Sequence, residues 1–162
     1  MNYHDIRHCD MLNGPGLRVV LFVSGCSNKC PGCHNLETWD PNSGVKFDSS
    51  SLSEIIDNLS NDYISGLTIS GGDPFYKSNT NEIYDIVSTV NERFPDKSIW
   101  IYSGYVYEYL LDRDKVSNEI LHKIDVLVDG RYIEELKDDE LHYRGSRNQR
   151  IINVKEIGRA HV

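Results

Sequence analysis

Long apolar runs are absent from this sequence of 162 residues: the longest uninterrupted stretch, residues 19–23, falls far short of the roughly 20 residues that a membrane-spanning helix needs. Positive charge is also scarce. With 17 Lys and Arg against 25 Asp and Glu the net charge is −8, which argues against a nonspecific nucleic-acid binder, because neutralising phosphates calls for clustered cations. The polar opening segment, residues 1–8, lacks the apolar stretch of a secretion signal, so a cytoplasmic location is expected. Cysteine is sparse, four in all, and in a reducing compartment such thiols suit metal binding or catalysis better than disulfides. There is no internal repeat, and the one biased segment is the serine run at residues 48–53. Apolar residues make up 39%; with the 12 Gly added, the composition approaches that of an ordinary globular domain, which argues against extended disorder, collagen and coiled coil. The length fits one domain that needs no staple to fold, and it cannot hold the about 250 residues of a complete eightfold β/α barrel.

What is present alternates. Residues 17–23 form a Val-rich, nearly continuous apolar run that suits a buried strand. The Ser51-Leu52-Ser53-Glu54 string has the form of a capping box and predicts a helix to about Ser60. Residues 67–69 read as a short strand, residues 79–94 as a helix with Ile83, Ile86, Val87 and Val90 at helical spacing, and residues 98–102 as a strand. Two helical segments near 107–111 and 116–124 precede a strand at 125–128, and residues 149–154 supply a last strand. Such alternation predicts an α/β fold with a mostly parallel sheet. Ligands of these sheets gather beyond the carboxyl ends of the strands. Four candidate loops fall there: the cysteine loop, Gly71-Gly72, Ser103-Gly104 and Asp129-Gly130.

The cysteine loop is the most informative segment. Cys26, Cys30 and Cys33 follow a C-x3-C-x2-C spacing, and Pro31 and Gly32 break helix and let the chain curl around an object. Four readings fit. Three thiolates hold three irons of a [4Fe–4S] cluster and leave the fourth open. Alternatively they bind zinc together with His34 or Cys9, although structural zinc sites usually use two separated ligand pairs. Cys30-Pro31-Gly32-Cys33-His34 also matches the haem c attachment pattern, and Cys30 with Cys33 the spacing of a redox dithiol; both leave Cys26 without a role. Cys9, in a polar segment before the apolar strand, is read as a free thiol outside any metal site.

The cysteine spacing, with Gly71-Gly72-Asp73-Pro74 about 40 residues on, resembles the radical S-adenosylmethionine superfamily. Asn13-Gly14-Pro15-Gly16, the string from Asp125 to Gly130, and Arg144-Gly145-Ser146-Arg147-Asn148-Gln149-Arg150 narrow the likeness to the activating proteins of anaerobic ribonucleoside-triphosphate reductases, over residues 1–154. The resemblance implies an incomplete β/α barrel of radical-SAM type. It implies that Cys26, Cys30 and Cys33 ligate one [4Fe–4S] cluster, and that S-adenosyl-L-methionine chelates the open iron. Gly71 and Gly72 then lie against the methionine end, and backbone around Gly32, Cys33 and His34 against the adenine end. Three positions depart from the common pattern: Gly32 where an aromatic residue often precedes the third Cys, His34 where close relatives often have Tyr, and Asp73 where Glu is frequent. Asp73 receives no ligand role.

The implied reaction is reductive cleavage of S-adenosylmethionine, followed by hydrogen abstraction from a glycine of the reductase large subunit. An external one-electron donor such as a flavodoxin is implied as a further partner, and no catalytic residue is expected beyond the cluster and cofactor ligands. Arg144, Arg147 and Arg150 are candidates for docking the reductase. Asp129 is read as a surface turn residue. Residues 1–157 are expected to form one domain and 158–162 a tail. Two other readings stand beside this one: activation of another glycyl-radical enzyme, and a non-catalytic zinc-binding interaction module.

Overall fold

The computed structural model describes residues 1–28, 30–33 and 36–160. Seven strands form one sheet in the order β3-β1-β2-β4-β5-β6-β7. The four middle strands, β2 (Leu17–Val23), β4 (Ile64–Gly71), β5 (Ser98–Ser103) and β6 (Val126–Asp129), are parallel. On one side β1 (Asn2–Asp10) runs antiparallel to β2, followed by the two-residue β3 (Val45–Lys46); on the other, β7 (Arg150–Asn153) runs antiparallel to β6. Helix α1 (Ser49–Leu59) links β2 to β4 by way of β3, α2 (Thr80–Arg93) links β4 to β5, and α3 (Tyr107–Arg113) with α4 (Lys115–Leu121) links β5 to β6. The final helix, α5 (Val154–Ala160), contains the expected domain boundary at 157, and the last two residues of the expected tail lie outside the described residues.

Side-chain alternation gives the sheet two unlike faces. Val19, Leu21, Val23, Leu67, Ile69, Ile99, Ile101 and Leu127 meet Ile55 and Leu59 of α1, Ile83, Ile86, Val87 and Val90 of α2, Leu110 of α3 and Ile120 of α4 in one core. The opposite face carries Arg18, Phe22, Thr68, Ser70, Trp100, Tyr102, Val126 and Val128. Among the described residues no helix packs onto this face; instead Tyr143, from the segment between β6 and β7, sets its ring edge-on to Trp100 at 5.5 Å and accepts the Tyr102 hydroxyl at its carbonyl at 2.7 Å.

Arg18 is buried at the start of β2, and all five of its N–H donors reach neutral oxygens. Nε donates to Thr68 Oγ1 (2.8 Å), Nη1 to Ser98 Oγ (2.9 Å) and the Pro15 carbonyl (3.3 Å), and Nη2 to the Leu67 and Ser98 carbonyls (2.9 Å each). Burial pushes its pKa down to about 10, so the cation persists at neutral pH. Gly14 and Gly66 make the space: a Cβ on Gly14 would stand 2.8 Å from Arg18 Cδ, and one on Gly66 2.8 Å from Arg18 Nη2. The Asn13-Gly14-Pro15-Gly16 string therefore wraps a buried guanidinium.

Several elements differ from the expected ones: β3 and α5 have no counterpart among them, and the start of α1 and the N-terminal segment take other forms. The cap of α1 is Asp48, not Ser51: its carboxylate accepts the Ser50 and Ser51 N–H groups at 3.0 and 3.1 Å, and Ser51 Oγ accepts the Asp48 N–H at 3.2 Å. An Asp three residues before a Ser closes the same reciprocal box one turn earlier. Strand β1 occupies the polar N-terminal segment, where only Ile6 and Asp10 are buried. Its membership rests on backbone pairing with β2, which leaves little mark on side-chain pattern. Cys9 is an exposed member of this strand.

Candidate functional site

The carboxyl ends of the four parallel strands open into a cavity of about 470 Å3. Cys26, Cys30 and Cys33 line it together with Gly71 and Gly72, so five of the sequence-predicted site residues share one space. Phe22, Ser70, Tyr102 and Val128 supply its sheet-side lining, and Tyr132, Tyr143, Arg144 and Gln149 enter from the segment between β6 and β7. The cysteine loop is held at its root by backbone: Gly25 N–H donates to the Thr38 carbonyl at 2.7 Å and Cys26 N–H to that of Trp39 at 3.1 Å. Cys33 N–H closes a turn onto the Cys30 carbonyl at 3.0 Å, across Pro31 and Gly32.

All three thiols are free of disulfides and partly buried. Burial pushes the Cys30 thiol up, while an N–H donated by Tyr132 pulls the other way. Among the described residues, no three His, Cys, Asp or Glu side chains are gathered around one point as a single metal ion would need. Gly32 has φ +77°, and a Cβ there would meet Glu134 Oε2 at 2.0 Å, so it packs against the segment after β6. His34 lies outside the described residues.

Gly71 has φ +103°, and a Cβ on it would fall 2.5 Å from the Val23 nitrogen; one on Gly72 would fall 2.5 Å from the Gly25 carbonyl oxygen. The chain after β4 is thereby pressed against the root of the cysteine loop, leaving a backbone-lined cradle beside the thiols. The donor set fits an iron–sulfur cluster: three thiols on one loop, facing a cavity that the glycine backbone of Gly71 and Gly72 borders on one side.

Asp73 follows this cradle and is 1% exposed. Oδ1 accepts Phe75 N–H (2.9 Å) and Ser103 Oγ–H (2.8 Å), and Oδ2 accepts Gly104 N–H (2.9 Å) and Asn28 Nδ2–H (3.1 Å). Burial raises its carboxyl pKa to about 6 despite these donors. Asn28, between Cys26 and Cys30, accepts Arg131 Nε–H at its other end at 3.0 Å. Neither Asn28 nor Arg131 stood out in the sequence, since they are 103 residues apart and belong to no local motif.

Asp129 is not a surface turn residue. It is fully buried, accepts the Tyr107 N–H at 2.7 Å at the start of α3, and is bridged by Arg150. The signal was available, because period-two alternation puts Asp129 on the helix-covered face with Leu127. Of the three candidate docking arginines, Arg150 is occupied by Asp129 and by both oxygens of Glu108, at 3.0 and 2.7 Å. Arg144 lines the cavity and donates to the Gln149 carbonyl at 3.0 Å, while Arg147 is exposed.

Residues 12–152 match the family described as a 4Fe-4S single cluster domain. The chain is 47% identical over 151 residues to the anaerobic ribonucleoside-triphosphate reductase-activating protein of Enterobacteria phage T4, covering 93% of each chain. It is 40% identical over 157 residues to the protein of that name from Escherichia coli K12, covering 96% of this chain and 100% of the relative. The Vibrio cholerae protein of that name is 42% identical over 151 residues, covering 92% and 96%. The cluster domain decides among the metal readings that spacing alone left open, and the chain belongs to the family of anaerobic ribonucleoside-triphosphate reductase-activating proteins.

Proposed function

We propose that this protein activates an anaerobic ribonucleoside-triphosphate reductase by leading to a glycyl radical on the reductase large subunit, with S-adenosyl-L-methionine as cofactor. The observation that carries this reading is the meeting of Cys26, Cys30, Cys33, Gly71 and Gly72 around one cavity at the carboxyl edge of the parallel strands. A cluster held by Cys26, Cys30 and Cys33 would supply, when bound, one-electron reduction of the cofactor's sulfonium and so the radical chemistry that a glycyl radical on the reductase requires.

The chain's own residues bind, orient and exclude. The thiolates of Cys26, Cys30 and Cys33 would hold the cluster and leave room beside it for the cofactor. Gly71 and Gly72 offer backbone to its methionine end, and the backbone of Gly32, Cys33 and His34 borders its adenine. Phe22, Tyr102, Val128 and Tyr143 line the cavity with apolar and aromatic surface, which limits competing water. The uncovered sheet face serves as the inner wall of an incomplete β/α barrel, within one domain over residues 1–157. A flavodoxin-like donor supplies the electron, and the protein works in the cytoplasm; among the described residues, no helix is long and apolar enough to cross a membrane.

Anaerobic reconstitution with iron and sulfide tests the reading. A brown, oxygen-labile protein with about four irons per chain is expected. With S-adenosylmethionine, a reductant and the reductase it should give a glycyl-radical EPR signal, lost in Cys26→Ala, Cys30→Ala and Cys33→Ala. Colourless protein holding one zinc per chain would overturn it.

A further inference from the structure

The ends of all four parallel strands meet in one hydrogen-bonded chain. Asp73 follows β4, Ser103 ends β5 with Gly104 just after it, Asn28 lies in the loop after β2, and Arg131 follows β6. A carboxylate offers about four lone-pair sites. Those of Asp73 face Phe75 N–H, Ser103 Oγ–H, Gly104 N–H and Asn28 Nδ2–H, at 2.8 to 3.1 Å. No acceptor capacity is left over for a bound molecule, although Asp73 borders the cavity. Gly104 is part of the same arrangement, since a Cβ on it would fall 2.3 Å from Asn28 Nδ2. The amide between Cys26 and Cys30 is thus seated in a gap left by a missing side chain and anchored at both ends.

We infer that Asp73 is a positioning residue that fixes the cysteine loop through Asn28, rather than a ligand of the cofactor. Asn28 is the coupling element: its Nδ2 takes the orientation set by Asp73, and its Oδ1 receives Arg131. The span between the first two cysteines is held from the side, while the Gly25 and Cys26 backbone bonds hold it at its root. Supporting groups around metal ligands commonly change metal retention by about 10–100-fold when removed.

This inference rests on the cluster reading above, and its test separates the two. Wild type, Asn28→Ala, Asp73→Asn and the double variant are reconstituted anaerobically. Three quantities are followed: iron release to a ferrous chelator, the EPR spectrum of the reduced cluster without cofactor, and S-adenosylmethionine affinity. Each single variant should release iron about tenfold faster and broaden the spectrum. The double variant should add less than about twofold, because one chain is broken twice. Cofactor affinity should stay within about threefold. Release rates that match wild type, or that multiply in the double variant, would overturn the inference. So would a tenfold loss of cofactor affinity in Asp73→Asn with unchanged release, which would make Asp73 a ligand. Should Asp73→Asn fail to fold, Asn28→Ala decides alone, because it leaves three donors on the Asp73 carboxylate. Failure of the wild type to take up a cluster would count against the cluster reading itself.

Discussion

At the scale of the residue, Gly72 shows how closely the cradle is built. A methyl group there would meet the carbonyl oxygens of Gly25 at 2.5 Å and Thr38 at 2.8 Å, and neither is a side chain that can rotate away. Gly72→Ala is therefore expected to cost about 1–3 kcal/mol in urea-induced unfolding of the apoprotein, and to displace the root of the loop that carries Cys26. Asp73 next door illustrates where reading a sequence stops. Its place after Gly-Gly was plain, but its partners Asn28 and Ser103 lie 45 and 30 residues away. No periodicity or local motif records such a meeting. The cysteines were legible because three thiols at a ligand-like spacing sit within eight residues, whereas the groups that flank their loop are scattered over four loops.

Among the elements, the middle strands and helices were readable because each carries a repeating apolar face: β2, β4, β5 and β6 by their buried runs, α2 by Ile83, Ile86, Val87 and Val90. Strand β1 was not, because its buried side chains are few and its attachment is made by backbone. Arg18 was equally opaque, a charge inside an apolar run whose five acceptors come from the loop before β2, from β4 and from β5. Arg18→Lys keeps the charge but loses the planar fork, leaving buried carbonyl and hydroxyl groups without donors; about 3 kcal/mol of lost stability is expected in chemical denaturation. The pairing of α3 with β7 through Glu108 and Arg150 has a pH signature. Hydrogen bonds from Arg150 hold the Glu108 carboxyl at about 2, below its ordinary 4.5. A depressed carboxyl stabilises the folded state above the ordinary value and loses that contribution as pH falls through the lower one. Stability measured from pH 5 to 2 should therefore fall more steeply in wild type than in Glu108→Gln. At neutral pH the difference should stay under about 1 kcal/mol, since the pair is exposed and screened.

For the whole molecule, the decisive asymmetry is between the two sheet faces. One is sealed by α1 to α4, and the other, with Arg18 near the strand starts and the cavity at the strand ends, is covered in part by the segment between β6 and β7. That division explains how 162 residues accommodate both a core and a site: a single helical layer is spent on stability, and the remaining face is left for chemistry. The buried guanidinium at the base of that face ties five positions together for any redesign. Thr68 and Ser98 supply oxygens that meet Arg18, and Gly14 and Gly66 leave room for it. Exchanging Arg18 for an apolar side chain would strip the Thr68 and Ser98 hydroxyls of that donor, yet it would free neither glycine: Gly14 stands at φ +120°, and a Cβ on Gly66 would still run into the Ser98 carbonyl oxygen.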